Sequence, residues 1–193
     1  GLTYATFYMG RYNLNVASSD IMKTFALSKA EFGTIATAGF WTYALSVILN
    51  GPLADRFGGK KAIIFGGIGT ALFNLVIGGL FLAGWQTKIV VGMSLLYAVN
   101  QYFQSFGALS VVKVNAPWFH VKDRGVFGGI FGIMISSGYF LAMGFGGWIL
   151  AHFGWIWVFI VPSALILAMV LVDFFLVKDK PEFPFILVSP QCP

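Results

Sequence analysis

Gly51-Pro-Leu-Ala-Asp-Arg-Phe-Gly-Gly-Lys-Lys61 is a short polar stretch set between two long apolar ones. Asp55 and Arg56 end the first apolar segment, and Lys60 and Lys61 open the second. Gly58 and Gly59 permit a tight reversal, because glycine reaches φ > 0 at little steric cost. A charged turn in a soluble helical protein is the alternative, and it is disfavoured by flanks that are too long and too apolar. A bilayer explains them: basic residues in short loops stay cytoplasmic, so this hairpin fixes which way its helices point.

The rest of the chain agrees. It is 58% hydrophobic and 10% charged, with a mean hydropathy of +0.83. Soluble domains carry about 25% charged residues. A spanning helix needs about 20 apolar residues, and the 193 residues suit six spans with short loops. The spans are expected near Leu2–Ile21, Ala30–Leu53, Ala62–Ala83, Ile89–Val112, Gly125–Ala151 and Trp155–Val177. The fold class is therefore an all-α membrane protein, with residues 1–180 a six-helix bundle and 181–193 the start of a linker or an irregular tail. The first residue, Gly1, already lies inside the first span, so the chain is expected to be a piece of a longer protein.

The net charge of +5 is a statement about topology here and not about nucleic acid. Arg56, Lys60, Lys61, Lys122, Arg124, Lys178 and Lys180 fall in the second and fourth loops and after the last span. Lys23, Lys29 and Lys88 fall in the alternate loops. By the positive-inside rule both ends are cytoplasmic. Cys192 is the single cysteine, which excludes an intrachain disulfide and a cysteine-based metal site.

In the first span Tyr4, Tyr8, Arg11 and Asn15 recur at helical spacing and share one face. An arginine at mid-bilayer costs at least about 2.5 kcal/mol, so Arg11 should face a wet cavity or the bundle interior. The acids that might pair with it (Asp20, Glu31, Asp55, Asp123, Asp173 and Asp179) all lie near span ends. Arg11 is then an anion site, its planar fork suited to phosphate or carboxylate. The alternatives are a structural ion pair or a head that snorkels to the surface.

Other polar residues are sparse. Ser28 and Glu31 form a capping box opening the second span. Tyr43, Ser46 and Asn50 either line a cavity or bridge helices, and Gly33 and Gly39 are close-packing positions. The third span, rich in glycine, reads as a peripheral supporting helix. The fourth places Asn100 and Gln104 on one face as candidate substrate ligands. Lys113 is either a second anion-attracting cation or an interfacial anchor. Pro117-Trp-Phe marks an interface, and His120 and His152 are interfacial. The fifth span carries Gly138, Gly144, Gly146 and Gly147 for packing, with Ser136 and Tyr139 as possible cavity polars. Asp173 should reach water or Lys178. No nucleophile–histidine–acid set, metal cluster or nucleotide loop is present in the sequence, which argues against an enzyme and against a cofactor.

The spacing Gly51-x-x-x-Asp55-Arg56-x-Gly58-x-Lys60-Lys61 resembles the signature between the second and third helices of the major facilitator superfamily. The resemblance implies a cytoplasmic gate element there. Further stretches resemble the organophosphate:phosphate antiporter family: Phe7-Tyr8-Met-Gly-Arg11-Tyr-Asn, Tyr102-Phe-Gln104-Ser-Phe-Gly107 with Lys113, Trp118-Phe-His-Val-Lys-Asp-Arg124-Gly125, and Lys178-Asp-Lys-Pro181. That resemblance implies that Arg11 binds substrate phosphate with an arginine of a second six-helix half, and that Tyr4 and Tyr8 line the cavity. Arg124 joins the gating residues. The glycerol-phosphate transporters differ in carrying a histidine near Ile135 and a Pro-Pro pair at Leu109-Ser110. The expected function is exchange of a small organic anion, a phosphate ester against phosphate, across a bacterial cytoplasmic membrane. Two alternatives stand beside it. One is a non-transporting half-length accessory subunit. The other is a proton-coupled symporter, which the lack of a mid-span carboxylate disfavours.

Overall fold

The computed structural model describes residues 2–115 and 124–177. Seven helices run through them: α1 (Leu2–Val16), α2 (Ser18–Thr24), α3 (Lys29–Phe57), α4 (Gly59–Leu82), α5 (Ile89–Asn115), α6 (Arg124–Phe153) and α7 (Trp157–Leu176). The sequence predicts six spans. The difference arises at Ala17, where the first predicted span divides into α1 and α2. Hydrogen bonding continues across the break: the Ala17 amide donates to the Asn13 carbonyl and the Ile21 amide to the Ala17 carbonyl, each at 3.0 Å.

Among the described residues four segments are long and apolar enough to cross a membrane: α3, α4, residues 128–153 of α6, and α7. α1 is only 15 residues long. α5 has the length, but Asn100, Gln101, Gln104, Ser105, Ser110 and Lys113 dilute its hydropathy. The capping box forms as read, with the Ser28 hydroxyl accepting from the Glu31 amide and Glu31 Oε2 accepting from the Ser28 amide.

α5 packs between α3 and α4, α4 between α5 and α7, and α1 against α6 and α7 while also touching α5 and α4. Lipid is as apolar as leucine, so close van der Waals packing and interhelical hydrogen bonds hold such helices together. α4 supplies the packing. It is the most buried of the four candidate spans, which corrects its reading as a peripheral helix. Its Gly69 receives the Phe103 ring and its Gly67 receives Val170. The other expected packing glycines divide. Gly39 meets the Tyr97 ring, and Gly138 and Gly146 meet α1 at Ala5, Tyr8 and Val16. Gly33, Gly144 and Gly147 face open space.

One other expectation changes. Asp173 does not reach water: it is buried and accepts from the Thr3 hydroxyl at 2.8 Å, which joins α7 to α1. His152 is exposed at the end of α6, with Nδ1 2.9 Å from the Trp148 carbonyl. Pro117 to Lys122, including His120, and the tail from Lys178 to Pro193, with Lys180 and Cys192, lie outside the described residues.

Candidate functional site

Arg11 is half-buried on α1, and its guanidinium meets aromatic rings. The guanidinium carbon lies 4.4 Å from the centroid of Tyr43, on α3, and 5.2 Å from that of Tyr8. Nη2 donates to the Tyr43 hydroxyl at 3.2 Å. Nε is buried and has no hydrogen-bond partner. Among the described residues no carboxylate forms an ion pair with Arg11; the pair they contain is Lys113–Asp55. Two π-faces and one neutral hydroxyl thus stand where a structural ion pair would place a carboxylate. Cation–π contacts contribute about 0.5–2 kcal/mol each and leave the positive charge in place.

The other predicted site residues occupy three different environments. Tyr4 and Tyr8 are buried and lie edge to face, 5.3 Å apart. They belong to a continuous row of rings. Tyr4 stacks on Phe131, Tyr8 stacks on Tyr12, and Tyr12 meets Tyr139 edge-on. Asn15 is exposed on α1, one turn beyond Arg11. Asn100 and Gln104 are fully buried and line no open surface. Gln104 Nε2 donates to the Phe7 carbonyl at 3.1 Å. Asn100 Nδ2 donates to Asn74 Oδ1 at 2.9 Å and to the Gly10 carbonyl at 3.4 Å. Both amides therefore reach carbonyls of α1. Asn74 completes this knot, accepting from Asn13 at 2.6 Å. Asn50 bridges helices likewise, donating to the Ser105 hydroxyl at 2.8 Å.

The hairpin is held from α5. Lys113 Nζ donates to the Gly51 carbonyl at 3.1 Å and to the Asp55 carboxylate, which ties the end of α5 to the hairpin. Gly58 has φ 84°, the left-handed region that favours glycine. Gly59 serves a different purpose, since a Cβ there would lie 2.6 Å from Val114. Lys60 lies over the Phe174 ring, its Nζ 5.5 Å from the centroid, and Arg56 and Lys61 are exposed. Arg124 is the first residue of α6.

The family profile described as Major Facilitator Superfamily matches residues 1–186. The chain belongs to the Major Facilitator Superfamily. It is 26% identical over 181 residues, 94% of its length, to the membrane sensor protein UhpC of Salmonella typhimurium. It is 22% identical over 179 residues, 93% of its length, to a Chlamydia pneumoniae protein named "Probable hexose phosphate transport protein". It is 30% identical over 170 residues, 85% of its length, to the D-galactonate transporter of Escherichia coli O6:H1. It covers 39%, 38% and 36% of these relatives respectively, and so spans less than two fifths of their length.

Within this facilitator chain, sequence reasoning left Tyr43 and Tyr139 undecided and did not single out Tyr12. Tyr43 repeats with Ser46 and Asn50, but only the packing of α3 turns it toward Arg11. Tyr12 sits one residue off the Arg11 face. The described residues contain no group of His, Cys, Asp and Glu able to hold a metal ion.

Proposed function

We propose that this chain forms the N-terminal six-helix half of a facilitator that binds a small organic anion at Arg11 and moves it by alternating access. In this reading α1 and α2 together make one span and α5 another. Both ends are cytoplasmic, and the site is completed near the midplane by a second half. The observation that carries it is the Arg11 guanidinium, held by Tyr43 and Tyr8 with no carboxylate partner among the described residues. The anion is a phosphate ester exchanged for phosphate. Tyr4 and Asn15 share the Arg11 face, Asn100 and Gln104 hold α1 in place, and Gly51, Asp55, Arg56, Gly58, Lys60, Lys61 and Arg124 form the gate. Similarity to a protein named as a membrane sensor favours a second reading, an anion receptor that binds without transporting.

The test uses full-length protein in detergent, with inorganic phosphate, glucose 6-phosphate and D-galactonate as probes. Arg11→Lys keeps the charge and loses the fork. It should weaken binding about ten- to hundredfold, the equivalent of one charge-assisted contact. Arg11→Ala should abolish binding without lowering the melting temperature, because a costly intramembrane charge is gone. An unstable alanine variant, or one that binds as wild type, rejects the site. Tight binding of D-galactonate with no phosphate binding assigns a carboxylate ligand in place of a phosphate ester. Binding without counterflow in proteoliposomes selects the receptor reading.

A further inference from the structure

Tyr97 on α5 touches both helices that build the Arg11 site. Its hydroxyl donates to the Arg11 carbonyl at 2.9 Å and accepts from Gln101 Nε2 at 2.7 Å. In a helix that carbonyl already serves the amide four residues on, so Tyr97 uses its second lone pair. The ring lies on the backbone of α3: a Cβ built on Gly39 would sit 2.4 Å from Tyr97 Cδ1 and Cε1. Gly39 is one turn before Tyr43, the residue that receives the guanidinium. Tyr97 is thus seated on the helix of Tyr43 and bonded to the residue whose side chain Tyr43 holds. Gln101 polarises the same hydroxyl, and linked bonds of this kind strengthen one another.

We propose that Tyr97 is a positioning residue. It sets the spacing of α1 and α3 so that the Arg11 guanidinium meets the Tyr43 and Tyr8 rings. Its consequence for ligand affinity rests on the anion reading of Arg11; its consequence for Arg11 itself does not.

Site-resolved phenylglyoxal labelling of full-length protein, with Arg56 as internal reference, reads the position of Arg11 without any ligand. Tyr97→Phe keeps the ring and removes the hydroxyl. Arg11 should label about two- to tenfold faster relative to Arg56, the factor that corresponds to one net hydrogen bond. The melting temperature should change little, and inorganic phosphate affinity should fall by a similar factor. Gly39→Ala, which lifts the ring from α3, should give the same labelling change. An unchanged Arg11:Arg56 ratio overturns the proposal. So does a parallel rise at both arginines with a lower melting temperature, which signals general loosening, or an unchanged phosphate affinity in a protein that binds phosphate. Wild-type protein that binds no anion probe rejects the anion reading instead, and the labelling ratio still decides the role of Tyr97.

Discussion

The Arg11 guanidinium is already partly satisfied, because Nη2 donates to the Tyr43 hydroxyl. On the anion reading of Arg11, an anion that takes the Nη2 hydrogen now given to Tyr43 must displace that hydroxyl. Tyr43→Phe keeps the ring beneath the cation and removes the competitor, so it should tighten anion binding by up to about tenfold. Titration of the purified variant measures this; weaker binding would mean that the hydroxyl stays in the complex as a ligand. The periodicity of α1 made Tyr4, Tyr8 and Arg11 readable as one face. Tyr43 was not assignable in the same way, because its partner lies on another helix. Asn100 and Gln104 were correctly read as sharing a face. What that face meets was not legible, since an amide answers equally to a wet cavity and to a helix carbonyl.

Among the helices, glycine counts did not reveal which glycines pack. Gly39 is filled by Tyr97 and Gly33 by nothing, though both sit in the same apolar helix. Side chains arriving from neighbouring helices make the difference. At Gly69 a Cβ would lie 2.1 Å from Phe103 Cδ1. Gly69→Val should therefore destabilise the protein by about 1–3 kcal/mol. Gly79→Ala, which meets open space, should stay within about 0.5 kcal/mol. Thermal unfolding in detergent compares the two. The hairpin behaves differently, because the Asp55 side chain is 72% exposed. Losing its pair with Lys113 should cost under about 1 kcal/mol of stability. Asp55→Asn should nonetheless slow turnover, since it leaves Lys113 holding the hairpin by the Gly51 carbonyl alone. Transport at wild-type rate and normal expression would remove Asp55 from the gate.

For the molecule as a whole, the basic loops predict sidedness. With Cys192 replaced, single cysteines at positions 60 and 124 should resist an impermeant maleimide in intact cells, while those at 29 and 88 should react. External labelling at position 60 would overturn the orientation. Length and hydropathy made an all-helical membrane protein legible, and the hairpin spacing made its family legible. They did not reveal the interruption at Ala17, a local backbone event within otherwise helical sequence. The Asn13–Asn74–Asn100 knot also bears on how such a chain enters a bilayer. It joins α1 and α5, the two longer helices too short or too polar to qualify as spans, to α4, which qualifies readily. On the six-span reading α1 reaches the insertion machinery before α4 and α5, carrying Asn13 without its Asn74 partner and Arg11 with Tyr8 beside it. Its settled place in lipid waits for α4 and α5 to be synthesised, so nascent chains halted after α3 should be extracted by alkali more readily than chains halted after α5.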